Sequence, residues 1–284
     1  HLYKRNGFYY LMTAEGGTGY EHAVTLARSE KLDGPYELHP ENPILTSAED
    51  ESLVLQKAGH ASLVETTKGE WYMAHLCGRP LPGTRRCNMG RETALQKVEW
   101  RENDWLYLQP QGNAPQQKVT QPDLPSHPWP DLPSRLPFDS PHYASPRIKG
   151  DLIIVEDQRL ILKGGESLES NFEQALYGRR LTSQRMIATT KMRFKPDSFQ
   201  QMAGLVLYYN TFLFHYLYLS FDEKKGLCLH LHSCDDGQSV FILESNPVAV
   251  ESRELFLRAT LSGVELQFSW SYQDGDYQNI GPVL

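Results

Sequence analysis

The sequence has no run of 18 or more apolar residues, which excludes a membrane-spanning helix. It also lacks a basic excess. Lys and Arg number 28 against 35 Asp and Glu, a formal charge of −7, so neither nucleic acid nor an acidic membrane is the expected partner, and neutral ligands suit it better. Cysteine is scarce: Cys77, Cys87, Cys228 and Cys234 show neither CxxC spacing nor a dense framework. That argues against a zinc site or a disulfide scaffold and favours a reducing, cytoplasmic setting. Residue 1 is His rather than Met, and HLYKRNGFYYLM has neither the long apolar stretch nor the small-residue cleavage site of a signal peptide. The native start, and any localisation signal on it, therefore stays open. Helical periodicity is missing too, since no segment of helical length carries an apolar stripe at i, i+3, i+4, i+7 between caps.

What is present is aromatic and turn-rich: aromatics make up 11% of residues, and 21 Gly with 18 Pro favour a turn-rich globular chain. Short β-prone runs lie at 8–14 (FYYLMTA), 22–29 (HAVTLARS), 61–65 (ASLVE) and 70–76 (EWYMAHL). They are separated by the turn signals Asn6-Gly7, Asp33-Gly34-Pro35 and Lys68-Gly69. Gly7-Phe8-Tyr9-Tyr10-Leu11-Met12 is echoed by Gly69-Glu70-Trp71-Tyr72-Met73-Ala74, and weakly by Asp104-Trp105-Leu106-Tyr107-Leu108. Hairpins repeated in this way predict propeller blades, about two of them, each needing a neighbour to bury its faces.

From Gly112 to Pro146 the chain becomes dense in proline (QPDLPSHPWPDLPSRLP), which neither a central strand nor a continuous helix tolerates. The reading is a linker over 113–146 between a first domain, 1–112, and a second, 147–284. Eight further alternating runs, at 151–156, 159–163, 186–194, 203–209, 214–221, 227–232, 254–261 and 265–272, predict a β-sandwich there. The fold class expected is all-β.

The segment richest in chemistry is Gln56-Lys57-Ala58-Gly59-His60-Ala61-Ser62, with a histidine at the entrance to an apolar strand. A lone histidine is most often structural. Thirty residues on, Arg91 follows Gly90 at a strand start, where its guanidinium can fork two hydroxyls or a hydroxyl and a carboxylate. The nearby Arg79, Arg85 and Arg86 read as a solvated basic loop. The aromatics at 9, 10, 71, 72, 100 and 105 read as blade core rather than sugar platforms. His230 and His232 share a strand face by their spacing, half of a metal clamp without a third ligand, and structural histidines are the better reading.

These strings together carry a resemblance. HLYKRNGFYYLMTAEGGTGYEHAVTLARS, LDGPYE, NPILTS, QKAGHASLVET, GEWYMAHLCGRP and GRETALQKVEW resemble β-xylosidases of glycoside hydrolase family 43 over residues 1 to about 108. GGESLES, QALYGRR and FQQMAGLVLYYNT, within 164–210, look like that subgroup's C-terminal sandwich. The resemblance implies part of a five-bladed β-propeller followed by a concanavalin-like β-sandwich. It implies removal of terminal xylose, or of arabinofuranose in some relatives, from xylo-oligosaccharides or arabinose-substituted substrates by an inverting mechanism. Inversion pairs a carboxylic acid with a carboxylate base roughly 6.5–9.5 Å away. Carried over by position, Thr18 is implied to line the pocket, His60 to sit at its floor, and Arg91 to bind the sugar and steady the acid.

The resemblance requires no cofactor, leaves room for Ca2+ or another divalent cation near His60, and implies a homo-oligomeric parent. It also implies that the general acid, the base and the pKa-tuning aspartate lie upstream of His1, and that Pro282-Val283-Leu284 stops before the sandwich's last strands. Glu15, Glu21, Glu65 and Glu92 are expected to be salt-bridge or turn partners rather than replacements. On this reading the chain alone is an inactive fragment. Two rival readings are a non-catalytic, lectin-like carbohydrate-binding protein and a structural interaction protein.

Overall fold

Strands and turns, without a helix, account for the residues described by the computed structural model, 1–147 and 150–284. Two units divide the chain, His1–Asp131 and Leu132–Leu284.

The first unit is built from two antiparallel meanders. β1 (Leu2–Arg5), β2 (Phe8–Glu15), β3 (Ala23–Ser29) and β4 (Glu37–Leu38) pair in that order, and β5 (Leu45–Thr46) also pairs with β3. β6 (Gln56–Glu65), β7 (Trp71–Gly78), β8 (Glu92–Trp100) and β9 (Leu106–Gln109) form the second meander. Asn6 and Gly7 make the first hairpin because both hold positive φ (46° and 86°), the twist that a two-residue turn between paired Arg5 and Phe8 requires. Along β2, Tyr10 and Met12 point inward while Leu11 and Thr13 face out.

One core serves both meanders, joining Tyr10, Met12, Val24 and Leu26 of the first to Ala58, Met73, Val98 and Leu106 of the second. Each sheet therefore hides its apolar face on the other, as propeller blades must. Of the six aromatics read as blade core, all but Tyr9 lie in or on it. Tyr10, Tyr72 and Trp105 are buried, and Trp71 and Trp100 pack on the core. The Tyr10 ring meets the Trp100 ring edge-on at 4.7 Å, and its hydroxyl donates to the Asp104 carbonyl at 2.5 Å. Tyr9 lies under the Lys4 ammonium instead.

The proline-rich stretch is divided between the units. Its first part straps onto the second meander: Gln116 N–H donates to Gln96 Oε1 (3.0 Å), Asp123 N–H to Glu70 Oε2 (2.7 Å), and the Tyr72 hydroxyl to the Thr120 carbonyl (3.0 Å). Proline deprives a segment of ladder donors, and here β-sheet side chains supply the anchors.

The second unit contains β10 (Tyr143–Ala144), β11 (Ile153–Glu156), β12 (Arg159–Leu162), β13 (Gly178–Arg179), β14 (Arg185–Arg193), β15 (Ala203–Asn210) and β16 (Leu213–Asp222). It continues with β17 (Gly226–Asp235), β18 (Gln238–Phe241), β19 (Val248–Ala249), β20 (Glu254–Ser262), β21 (Glu265–Ser271) and β22 (Gln278–Ile280). One sheet runs β14-β20-β21-β22, and the other runs β15-β16-β17-β18 with β19 beside β17. Leu217, Leu219, Leu229 and Leu231 from one face meet Leu255, Leu257, Leu261 and Phe268 from the other, the packed core of a β-sandwich. Residues 148 and 149, inside the second domain expected at 147–284, lie outside the described residues.

Candidate functional site

Strand β6 is irregular in the part that the sequence reading singled out. Against β7, Gln56 pairs with Gly78, Gly59 with Leu76 and Ser62 with Ala74, so three residues of β6 twice span two of β7. Each step contains one residue in the left-handed region, Lys57 (φ 56°) and then His60 (φ 53°). Two bulges in succession re-aim side chains that regular pleating would have sent into the blade. His60 is left exposed in a strand whose flanking Gly59 and Ala61 are buried.

Gly59 explains why the bulge can form here. A Cβ at this position would overlap the imidazole of His22, which is buried beneath it. His22 is held by a hydrogen bond between Nδ1 and the Gly17 carbonyl, while its own carbonyl accepts from Thr46 Oγ1 at 3.0 Å. The β2–β3 turn and the bulged strand are thus fitted to each other through one glycine.

Arg91 closes the arrangement from the β7–β8 loop. Its Nη1 donates to the Thr18 carbonyl at 2.6 Å and its Nη2 to the Lys57 carbonyl at 3.2 Å. On the other side of His60 stands His1, with ring centroids 6.3 Å apart, and the His1 Nδ1 lies 3.1 Å from both the Tyr3 and Ser62 hydroxyls. Arg91 therefore touches the Thr18 turn directly, and His60 reaches the group through its neighbours. Thr18, His60 and Arg91 are all exposed.

The electrostatics of the group are cationic. Burial pushes the His22 pKa down, and the Arg91 and His60 charges push it further in the same direction. Tyr20, in the same turn as Thr18, carries the Arg85 guanidinium 3.9 Å and the Lys57 ammonium 4.8 Å from its ring centroid. Its hydroxyl donates to the Arg85 carbonyl at 2.7 Å. Arg85 also pairs with Glu51, and Arg79 holds Glu92 in a fork with contacts of 2.7 to 3.1 Å. Glu15 accepts from the Thr25 hydroxyl at 3.2 Å. These carboxylates act as structural partners.

Polar atoms here await a partner. His22 Nε2 and both amide atoms of Asn88, in the β7–β8 loop, are buried without a hydrogen bond. Such atoms cost free energy unless water or a polar ligand satisfies them. A calcium ion takes six to eight oxygen ligands, whereas the His1 ring beside His60 could offer it only nitrogen. Among the described residues, no group of three or more His, Cys, Asp or Glu is placed to hold an ion.

His230 and His232 do share a face of β17, and both are engaged within their sheet. His230 stacks on Tyr218 (5.3 Å, 14°), and His232 stacks on Phe241 (4.3 Å, 15°) with Nε2 3.1 Å from the Ser239 hydroxyl. Sequence reasoning missed His22, Lys57 and Tyr20. Their roles depend on contacts between the turn at 16–22 and β6, for which only the glycine preceding His60 gave a local signal.

Comparison with known proteins agrees in both units. Residues 1–106 match the model of glycosyl hydrolases family 43, and residues 141–284 match that of the β-xylosidase C-terminal concanavalin A-like domain. A xylosidase/arabinosidase 43B of Humicola insolens is 41% identical, the alignment covering 100% of this chain and 54% of the relative. A β-xylosidase of Bacillus subtilis is 38% identical, with 100% and 56% covered. The crystal structure of a xylan β-1,4-xylosidase from Bacillus halodurans superposes with a TM-score of 0.95 at 44% identity, covering 100% of this chain and 56% of that one. The chain thus spans little more than half the length of these relatives. With one family's propeller and its C-terminal sandwich matched in order, the chain belongs to glycosyl hydrolases family 43.

Proposed function

We propose that this chain is the sugar-holding part of a glycosidase that removes terminal xylose, and arabinofuranose as a second substrate, from xylo-oligosaccharides with inversion. The observation that carries the reading is the convergence of the Thr18 turn, the His60 bulge and the Arg91 guanidinium at one end of the paired blades. Exposed hydrogen-bonding groups on a rigid β-scaffold suit a neutral sugar, whose hydroxyls both donate and accept. The names of the Humicola and Bacillus relatives support the same substrate class.

Inversion needs a carboxylic acid that stays protonated near neutral pH and a carboxylate that activates water. The carboxyl groups here with displaced pKa values move the wrong way for the acid. Hydrogen bonds lower Asp50 (from Ser52), Glu70 (from Lys97), Glu166 (from Ser170), Asp222 (from the Lys225 and Lys224 backbone) and Glu254 (from Lys191). In this reading the 284 residues bind and orient the sugar and do not cleave it alone, and the parent enzyme works as a homo-oligomer.

Titration calorimetry of the chain with xylobiose, alongside an assay with nitrophenyl xyloside, tests this. Xylobiose binding is expected, weakened about 10- to 100-fold by Arg91→Ala through loss of charge-assisted hydrogen bonds, with no release of nitrophenol. Sustained turnover by the purified chain, or binding indifferent to Arg91→Ala, would overturn it.

A further inference from the structure

The chain is acidic as a whole, yet the rim of the candidate site is cationic. Lys57, Arg85 and Arg91 gather around the turn at 16–22, and two of these cations lie within 5 Å of the Tyr20 ring centroid. Carboxylate pairing there is uneven. Glu51 takes Arg85 and Glu92 takes Arg79, but among the described residues neither Lys57 nor Arg91 has a carboxylate partner. Arg91 commits Nη1 and Nη2 to two backbone carbonyls, one of them that of Lys57, which leaves about three of its five N–H groups for other partners. The Lys57 ammonium lies 4.8 Å from the Tyr20 ring centroid, and its charge also reaches the Cys87 thiol.

The placement of Lys57 has a structural cost. The residue sits in the left-handed region at the first bulge of β6, half-buried. A non-glycine residue in that conformation is strained unless its surroundings fix it, and here the Arg91 bond to its carbonyl does so. The same bond ties the Arg91 guanidinium to the Lys57 backbone, and an anion reaching both side chains would meet two positive charges. The Tyr20 ring, flanked by the Lys57 ammonium and the Arg85 guanidinium, fixes where the Lys57 charge sits.

We propose that Lys57, together with Arg91, forms a subsite for the carboxylate of a uronic-acid unit, so that the chain favours acidic over neutral xylo-oligosaccharides. The proposal rests on the sugar-binding reading above and names a substrate class for the same site. A uronic acid combines sugar hydroxyls for the free Arg91 N–H groups with a planar carboxylate for two cations. Because the chain's overall charge would repel an acidic ligand, a preference for one must come from this local patch and must weaken as salt screens it.

The test is calorimetry on the 284-residue chain with xylobiose carrying a glucuronic acid branch and with neutral xylotriose, at low and at high ionic strength. The acidic ligand is expected to bind at least about tenfold tighter at low salt. That ratio should fall towards one in Lys57→Met and at high salt, and persist in Lys57→Arg. A ratio near one in the wild type, or an unchanged ratio in Lys57→Met, overturns the proposal while leaving neutral sugar binding intact. Displacement of the acidic sugar by an equal concentration of acetate would mark a plain anion site and overturn it too. Failure of both sugars to bind would overturn the sugar-binding reading along with the subsite.

Discussion

His60 in the first unit and His232 in the second both lie in ten-residue strands, and they meet opposite fates. His232 keeps regular register opposite Tyr216, is 9% exposed, stacks on Phe241 and reaches the Ser239 hydroxyl. His60 lies within the second of two bulges, holds a positive φ and stands exposed, with the His1 ring 6.3 Å away. Residue type does not separate the two; backbone register does. An unbroken ladder offers each side chain a cross-strand neighbour, whereas a bulge withdraws that neighbour and turns the side chain outward. In the proposed reading, stability rests on the sandwich leucines and imidazoles, and binding on the irregular end of the blades.

The strongest attempt to break that contrast is a cavity in the sandwich. Leu229 is fully buried between the two sheets. Leu229→Ala should cost about 2–5 kcal/mol of stability, read as a lower urea midpoint. At temperatures where the variant stays folded, its xylobiose affinity should match the wild type within about twofold. A large affinity loss in a folded Leu229→Ala protein would show that the separation of roles is false.

Acid should reveal the buried histidines of both units. Burial lowers the pKa of His22, His39 and His75 in the first unit and of His215, His230 and His232 in the second. In the unfolded chain these groups take up protons near pH 6.5, but in the folded chain only at lower pH. Below about pH 6.5 the unfolded state therefore binds more protons, and stability falls, by at most about 1.4 kcal/mol per histidine for each pH unit, until the folded-state pKa values are reached. The lowered carboxylates titrate below this window. Urea midpoints at pH 7 and pH 5.5 check the sign, and His75→Gln should flatten part of the slope because His75 is 1% exposed. Stability that held level or rose on acidification would contradict the burial assignments.

How much of this was legible in the sequence follows the same division. Regular alternation gave away β2, β14, β16, β20 and β21 nearly to their ends, because one buried face writes a period of two. β6 was legible only from Ala61, since QKAGH does not alternate: Lys57 and His60 interrupt the pleat. β18 and β22 left little trace, being short, and every residue of β18 is exposed. Local sequence singled out His60 and Arg91 as candidates, whereas Thr18, and the pocket roles of all three, came from the family resemblance. His22, Lys57 and Tyr20 stayed hidden because their meaning depends on which turn packs on which strand. The first part of the proline stretch was hidden likewise, since its anchors are the side chains of Gln96, Glu70 and Tyr72 far back in the chain.

The smallest effect is also the sharpest test of the contrast. Ser239 lies in β18 between two groups: its hydroxyl donates to Glu169 Oε1 at 2.5 Å and stands 3.1 Å from His232 Nε2. If His232 is a structural histidine, Ser239→Ala removes one hydrogen-bonded link at the sheet edge and should cost about 1 kcal/mol. It should leave the xylobiose isotherm superimposable on that of the wild type. Were His232 instead half of a binding clamp, freeing its Nε2 would change ligand affinity, or let added Zn2+ raise the melting temperature, with little effect on stability in the absence of metal. Loss of stability without any change in binding would place His232 with the sandwich core; a change in binding would put it on the same footing as His60 and remove the reason for treating the bulge as decisive.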